Sequence, residues 1–118
     1  MHESLKKENL IVKLTFELAV ETLDFSERLD EMKKWSLANQ ILRAGLSIGA
    51  NVKEAQNAES KNDFIHKMKI AVKEAEELEY YFEICIASKG LPDCKELLDK
   101  VQSVCKVLNK IIATSKTT

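Results

Sequence analysis

Four polar side chains in the middle of the chain recur every three or four residues: Arg43, Ser47, Asn51 and Glu54. At 100° per residue, a helix places them on one continuous stripe. Arginine forms bidentate hydrogen bonds with a carboxylate, and a positioned carboxylate can act as a general acid or base. The stripe therefore has three interpretations: a structural polar seam, a ligand or catalytic site, or a seam between copies of the chain.

Three short breaks divide the chain into four segments with helical periodicity. Ser36 and Ser60 are candidate N-caps, and Gly90 followed by Pro92 is a strong stop signal. The predicted helices span roughly residues 5–32, 36–58, 61–89 and 93–115. Long helices joined by short turns pack antiparallel to their chain neighbours. We therefore predict one all-α domain over residues 1–118, an antiparallel up-down-up-down four-helix bundle.

Each segment carries apolar residues at alternating steps of three and four, which is typical of a helix with one buried face. The second segment places the polar Asn51 at such a position, where a lone Asn fixes register or partner choice at a cost in stability. The predicted core positions are Ile11, Leu14, Leu18, Thr22, Phe25, Leu29 and Met32, then Leu37, Ile41, Ala44, Ile48, Asn51 and Ala55, then Phe64, Met68, Ala71, Ala75, Leu78, Phe82 and Cys85, and finally Cys94, Leu97, Val101, Val104, Leu108 and Ile111.

The polar stripe has predicted partners on the third helix. With the second turn centred near residue 60, Arg43 lies opposite Glu76 and Glu77 in an antiparallel pair. Buried polar groups need hydrogen-bond partners, so a seam beside the core should form a connected network. The predicted structural polar network consists of Arg43, Ser47, Asn51, Glu54 and Glu77, with Tyr80 or Lys73 as a further member.

Two glycines occupy a different face of the second helix, beside Leu42 and Leu46. Because glycine inside a helix costs about 0.5–1 kcal/mol relative to alanine, we expect each to allow a close approach by another helix. The glycines alone leave open whether that helix belongs to the same chain. Small and apolar residues cover more of this helix than a monomeric bundle buries, which favours another copy. The predicted oligomer-interface residues are Leu42, Gly45, Leu46 and Gly49.

Composition argues against several classes of function. Basic residues number 18 and acidic residues 19, so a net charge of −1 gives no global attraction to nucleic acid or membrane. The cysteines, Cys85, Cys94 and Cys105, form no CxxC motif, and only two histidines are present, so neither a zinc site nor a disulfide framework is indicated. The longest uncharged run, residues 44–52, is too short to span a bilayer. We expect a cytoplasmic protein without metal or cofactor.

The stretch "RAGLSIGANVKEAQNAESKNDFIHKMKIAVKEAEELEYY" resembles the four-helix bundle family associated with 23S rRNA intervening sequences. The resemblance extends from Gln40 to about Tyr81, with departures at Leu78 and at Tyr81, where tryptophan is usual. It implies an antiparallel bundle that forms a homo-oligomer, typically a ring-shaped pentamer, without enzymatic activity. A related branch of accessory proteins to retroelement reverse transcriptases looks like a basic, nucleic-acid-binding ring.

Two functions follow from these observations. The first is a non-enzymatic oligomeric scaffold or adaptor, because no Ser–His, Cys–His or Glu-x-x-His combination offers catalytic or metal-binding chemistry. The alternative is a nucleic-acid-binding accessory protein that uses lysine stripes multiplied around a ring. Interleaved glutamates and a sequence pI near 6.1 count against this alternative. Its predicted contacts are His66, Lys69, Lys73, Lys106 and Lys110.

Overall fold

The structure is a computed structural model that describes the backbone of residues 2–118 and the side chains from residue 10 onwards. It contains four helices: α1 (His2–Glu31), α2 (Trp35–Ala55), α3 (Lys61–Ala87) and α4 (Lys95–Lys116). Each helix packs on the next along the chain, and α1 packs less extensively on α4. The bundle measures 47 × 21 × 19 Å. The predicted all-α antiparallel four-helix bundle is confirmed.

The start of α3 follows the predicted capping chemistry. The Ser60 hydroxyl accepts a hydrogen bond from the Asp63 backbone N–H at 3.0 Å. In return, the Asp63 carboxylate accepts a bond from the backbone N–H of Glu59 at 3.2 Å. Two otherwise unpaired backbone donors are therefore satisfied, and a negative charge stands at the positive end of the helix dipole.

The start of α2 differs from the prediction. Lys33 adopts φ of 63°, a left-handed conformation that ends α1 abruptly, and α2 already begins at Trp35. Lys34 occupies the N-cap position without a side-chain capping bond. Ser36 therefore lies inside the first turn of α2 and is not its cap. The turn is tighter than the sequence indicated because a non-glycine residue accepts the left-handed conformation.

The predicted core is largely buried, with differences near the helix ends. Asn51 is half-buried and Val52 takes the core position, while Ile112 is buried and Ile111 only partly so. A strict alternation of three and four residues has a period of 3.5, so it drifts by about 20° per heptad against a straight helix. The same drift leaves Met32 exposed. At the centre, Phe25 and Phe82 meet edge to face with ring centroids 5.7 Å apart.

The two glycines of α2 face α1 of the same chain. Gly45 is buried, and a Cβ atom added there would lie 2.5 Å from Cγ2 of Thr22. At Gly49 the nearest atom would be the backbone oxygen of Thr15, at 3.4 Å. The preference for another copy as the helix that approaches these glycines is therefore wrong. Apolar periodicity could not decide this point, because it records how much surface is apolar and not which helix covers it.

Candidate interaction surfaces

An apolar face remains uncovered on the outer side of α1 and α2. It consists of four exposed side chains: Phe16, Val20 and Leu23 of α1, and Leu46 of α2. Phe16 is 67% exposed and Leu46 46% exposed, although single exposed apolar residues are ordinary in soluble proteins. Here the residues are contiguous. They border a groove of about 480 Å³ whose remaining lining residues are Val12, Lys13, Thr15, Ala19, Gly49, Ala50 and Lys53.

Helical periodicity explains why this face exists. Phe16, Val20 and Leu23 follow one another at steps of four and three, on the side of α1 that borders α2 but away from the core. On α2, Trp35, Leu42 and Leu46 follow at steps of seven and four, and Trp35 is 63% exposed. A contiguous apolar surface on a soluble domain marks an interaction site. The sequence analysis identified Leu42 and Leu46 but missed the contribution of α1.

The close contact of α1 with α2 is polar at its edges yet fully satisfied. The hydroxyls of Thr15 and Thr22 are buried and donate hydrogen bonds to the carbonyl oxygens of Ile11 and Leu18, at 2.8 and 2.7 Å. Such bonds to the preceding turn let a hydroxyl residue lie inside an apolar contact without an unpaired group. Thr22 was predicted as a core residue, whereas Thr15 was missed because the strict stripe selects Leu14.

A small charged cleft lies on the opposite side of α2, against α3. Its volume is about 260 Å³, and it gathers three members of the predicted network, Arg43, Ser47 and Glu77. Tyr81 lines the cleft and its hydroxyl donates a hydrogen bond to Oε1 of Gln40 at 3.1 Å. The predicted member Tyr80 instead points to solvent and is 61% exposed. The remaining lining residues are Gln40, Ala44 and Glu74.

The other two predicted network members lie outside this cleft. The Asn51 amide donates a hydrogen bond to the backbone oxygen of Ser47 at 2.9 Å, within its own helix. Glu54 lies 4.0 Å from Lys67, at the edge of ion-pair distance. Within the part of the chain that the structure describes, Arg43 forms no ion pair within 4.0 Å. The predicted continuous network is thus divided, because local backbone bonding satisfies Asn51.

Glu74 is the cleft residue whose electrostatic environment is most perturbed. Partial burial raises the pKa of Glu74, and the neighbouring Glu77 carboxylate raises it further, both by repulsion and by a hydrogen bond. Arg43 and Lys73 act in the opposite direction without reversing the shift. Two adjacent carboxylates opposite one arginine resemble many structural polar seams, and the cleft holds no nucleophile beside them.

The five predicted nucleic-acid contacts are all exposed, and four lie in one half of the bundle. We define the basic half as described residues 10–19, 47–73 and 108–118, which surround the α2–α3 turn. His66, Lys69, Lys73 and Lys110 lie in this half, and Lys106 lies one turn nearer the middle. Its lysines are Lys13, Lys53, Lys61, Lys67, Lys69, Lys73, Lys110 and Lys116, against the carboxylates Glu17, Glu54, Glu59 and Asp63.

The opposite, acidic half comprises residues 20–46 and 74–107, and there carboxylates outnumber basic groups. The near-zero net charge thus conceals a strong separation of charge along the 47 Å axis. The carboxylates are Glu21, Asp24, Glu27, Asp30, Glu31, Glu74, Glu76, Glu77, Glu79, Glu83, Asp93, Glu96 and Asp99. The sequence analysis missed this separation because it appears only when antiparallel helices are placed side by side.

The three cysteines have environments that suppress thiolate chemistry. Burial raises the pKa of Cys94 to about 12, and nearby Cys85 and Asp93 raise it further. Burial, with Glu79 and Glu76 nearby, raises the pKa of Cys105 to about 11. Burial also raises the pKa of Cys85. Because the thiolate is the reactive form, none of these residues is suited to act as a nucleophile.

Two further searches concern residues that the structure describes. No group of three or more His, Cys, Asp or Glu side chains converges there in a way that could hold a metal ion. None of the described helices is long and apolar enough to cross a membrane. What the molecule offers is a four-helix bundle with one uncovered apolar face, one charged cleft and two oppositely charged halves.

Comparison with known proteins places this bundle in a family. The model of the 23S rRNA-intervening sequence protein family matches residues 7–110, and the chain belongs to this family. Four chains of solved structures match. One is a protein of unknown function from the S23 ribosomal protein family of Bacteroides thetaiotaomicron VPI-5482. It is 36% identical with a TM-score of 0.86, over 91% of this chain and 98% of that chain. No relative was found among curated proteins.

Proposed function

We propose that the protein is a non-enzymatic, cytoplasmic scaffold or adaptor that works as a homo-oligomer. The observation that carries this proposal is the apolar face, in which Phe16 and Leu46 expose side chains that water solvates poorly. Burying one such side chain fully is worth about 1.5–3 kcal/mol. A second copy of the chain supplies a partner at the same concentration as the face itself. The resemblance to ring-forming relatives suggests five copies.

The absence of enzymatic activity is part of the proposal. Its support is the chemistry of the polar groups: the cleft around Arg43 holds two carboxylates and an arginine but no nucleophile, and the cysteines have raised pKa values. Function then depends on what the assembled copies hold together. The separation of charge gives such an assembly two chemically different ends when its copies point in one direction.

The test is the absolute mass of the protein in solution, compared with that of Phe16→Glu. Phe16 is 67% exposed, so a charged side chain there is tolerated by the folded monomer but not by an apolar contact. We expect an oligomer for the natural sequence and a mass of 13.4 kDa for the variant. Asn109→Glu, an exposed position on α4, is the control for added charge. Equal masses for the natural sequence and Phe16→Glu would refute assembly through this face.

Binding of nucleic acid is the second candidate, and the basic half favours it. A ring whose copies point in one direction places every basic half on one rim, where lysines attract phosphates without reading sequence. The acidic half would lie on the other rim and would leave this attraction intact. This arrangement answers the objection that the chain as a whole is slightly acidic, because a polyanion responds to the local field.

Filter binding with a structured RNA across a series of salt concentrations tests this second candidate. We expect affinity to fall steeply with salt, and replacement of Lys69, Lys73 and Lys110 by glutamine to reduce the slope in proportion to the phosphates released. Glutamine at Lys33 and Lys95, which lie in the acidic half, should change little. No binding at low ionic strength would refute this candidate and leave the scaffold proposal standing.

A further inference from the structure

A second group of exposed apolar side chains lies on a different side of the bundle. Tyr80 is 61% exposed and Ile84 39% exposed, and they lie one turn apart on α3. Leu78 and Phe82, two residues to either side of Tyr80, are fully buried, so Tyr80 points directly away from the core. The molecule thus carries a groove on α1 and α2 and a projecting aromatic side chain on α3.

We propose that the apolar face of one copy receives Tyr80 and Ile84 of the next copy. This inference rests on the proposed oligomer and names the two surfaces that form its contact. A face that pairs only with itself closes after two copies, whereas two different faces continue from copy to copy and give a ring or a filament. Tyrosine suits such a contact because its ring buries a large apolar area while its hydroxyl remains able to hydrogen-bond.

The position of Tyr80 along the bundle fixes how the copies are displaced. Within one chain, the hydrogen bond from Tyr81 to Gln40 places this part of α3 level with residue 40 of α2. The groove is centred near Gly49, between Leu46 and Lys53. At 1.5 Å per residue, the neighbouring copy is displaced by roughly 13 Å along the bundle. In a closed ring, the bundles are therefore inclined to the ring axis.

Charge complementarity selects the relative direction of the two copies. Lys13 and Lys53 line the groove on the side of the α2–α3 turn. Glu76 is exposed one turn before Tyr80, and therefore also on the side of that turn. When both copies point in one direction, Glu76 reaches these lysines as Tyr80 fills the middle of the groove. In the opposite direction it would approach Glu27, a like charge.

Mixing two variants tests whether the contact joins different faces. Leu46→Glu damages the groove and leaves Tyr80 intact, while Tyr80→Glu does the reverse. Both positions are more than a third exposed, so the fold should persist, which circular dichroism checks. We expect each variant alone to be a monomer of 13.4 kDa. An equimolar mixture should form a dimer and nothing larger, because it contains one intact groove and one intact Tyr80. Phe16→Glu with Ile84→Glu repeats the design.

The other outcomes separate failure of this inference from failure of the proposed function. If Tyr80→Glu keeps the mass of the natural oligomer while Leu46→Glu is monomeric, the apolar face pairs without Tyr80, which overturns the inference alone. A mixture that stays monomeric overturns it likewise. If Leu46→Glu keeps the natural mass, or the natural protein is itself monomeric, assembly through the apolar face is refuted, and the inference falls with it.

A charge exchange tests the direction of the copies by a separate route. Lys53→Glu should weaken the oligomer, seen as dissociation at a higher protein concentration, because the new carboxylate faces Glu76 of the neighbouring copy. Combining it with Glu76→Lys should restore assembly. Glu83→Lys is the control, since this exposed acid lies on α3 on the far side of Tyr80. Restoration by the control and not by Glu76→Lys would overturn the proposed register.

Discussion

Replacing each α2 glycine by alanine should have opposite effects on stability. At Gly45 the new Cβ would lie 2.5 Å from Cγ2 and 2.9 Å from Cβ of Thr22, closer than carbon atoms approach. At Gly49 the nearest atom would be the Thr15 carbonyl oxygen at 3.4 Å, an ordinary contact. Both substitutions remove the same unfavourable backbone entropy of a helical glycine. The difference between the two variants therefore isolates the contact with α1.

The expected magnitudes follow from these distances. Gly49→Ala should stabilise the protein by about 0.5–1 kcal/mol, the difference in helix propensity. Gly45→Ala gains the same amount but must force the helices apart or displace the buried Thr22, which costs about 1–3 kcal/mol. Its net effect is therefore destabilising. In thermal unfolding, 1 kcal/mol corresponds to about 4 °C for a domain of this size.

Urea unfolding followed by circular dichroism measures both variants, at one fixed protein concentration because assembly contributes to stability. Adding Thr22→Ala to Gly45→Ala should recover part of the loss, since it removes Cγ2 and the hydroxyl. Equal unfolding midpoints for Gly45→Ala and Gly49→Ala would contradict the close approach of α1. Equal midpoints for the natural protein and Gly45→Ala would contradict it as well.

Three further predictions concern charge and capping. Ser60→Ala should cost about 1 kcal/mol in urea unfolding, because it leaves the Asp63 backbone N–H uncapped, whereas Ser60→Asp should not. The pKa of Glu74 is raised above its unfolded value, so stability should fall as pH rises from its ordinary range near 4.5 through the folded pKa; in Glu74→Gln this pH dependence should be weaker. The thiol of Cys94 should resist iodoacetamide at pH 8 in the folded protein and react on unfolding, because its pKa is raised to about 12; rapid labelling of the folded protein would contradict its burial.

The fold was accessible from the sequence because the signals agree at every level. Apolar steps of three and four define four helices, and Ser60 and Gly90 mark breaks that the structure contains. The boundary at Ser36 was missed because a left-handed lysine, Lys33, makes a turn that composition does not reveal. Such errors move a helix end without altering which helices are neighbours.

The candidate surfaces were less accessible because they depend on neighbours from other helices. The apolar surplus on α2 predicted a further contact, yet Gly45 serves α1 of the same chain while Phe16 of α1 remains exposed. Periodicity measures how apolar each helix is but not how two helices share their faces. Asn51 illustrates the same limit for polar groups, since a bond to Ser47 one turn earlier satisfies it without a partner from α3.

The absolute mass of the natural protein, measured by size exclusion with light scattering at two concentrations, tests the central claim most directly. The account predicts a stable multiple of 13.4 kDa, close to five copies if the resemblance to ring-forming relatives extends to assembly, and a fall to one copy in Leu46→Glu. A mass of one chain at both concentrations would mean that the apolar face does not bring copies of this protein together.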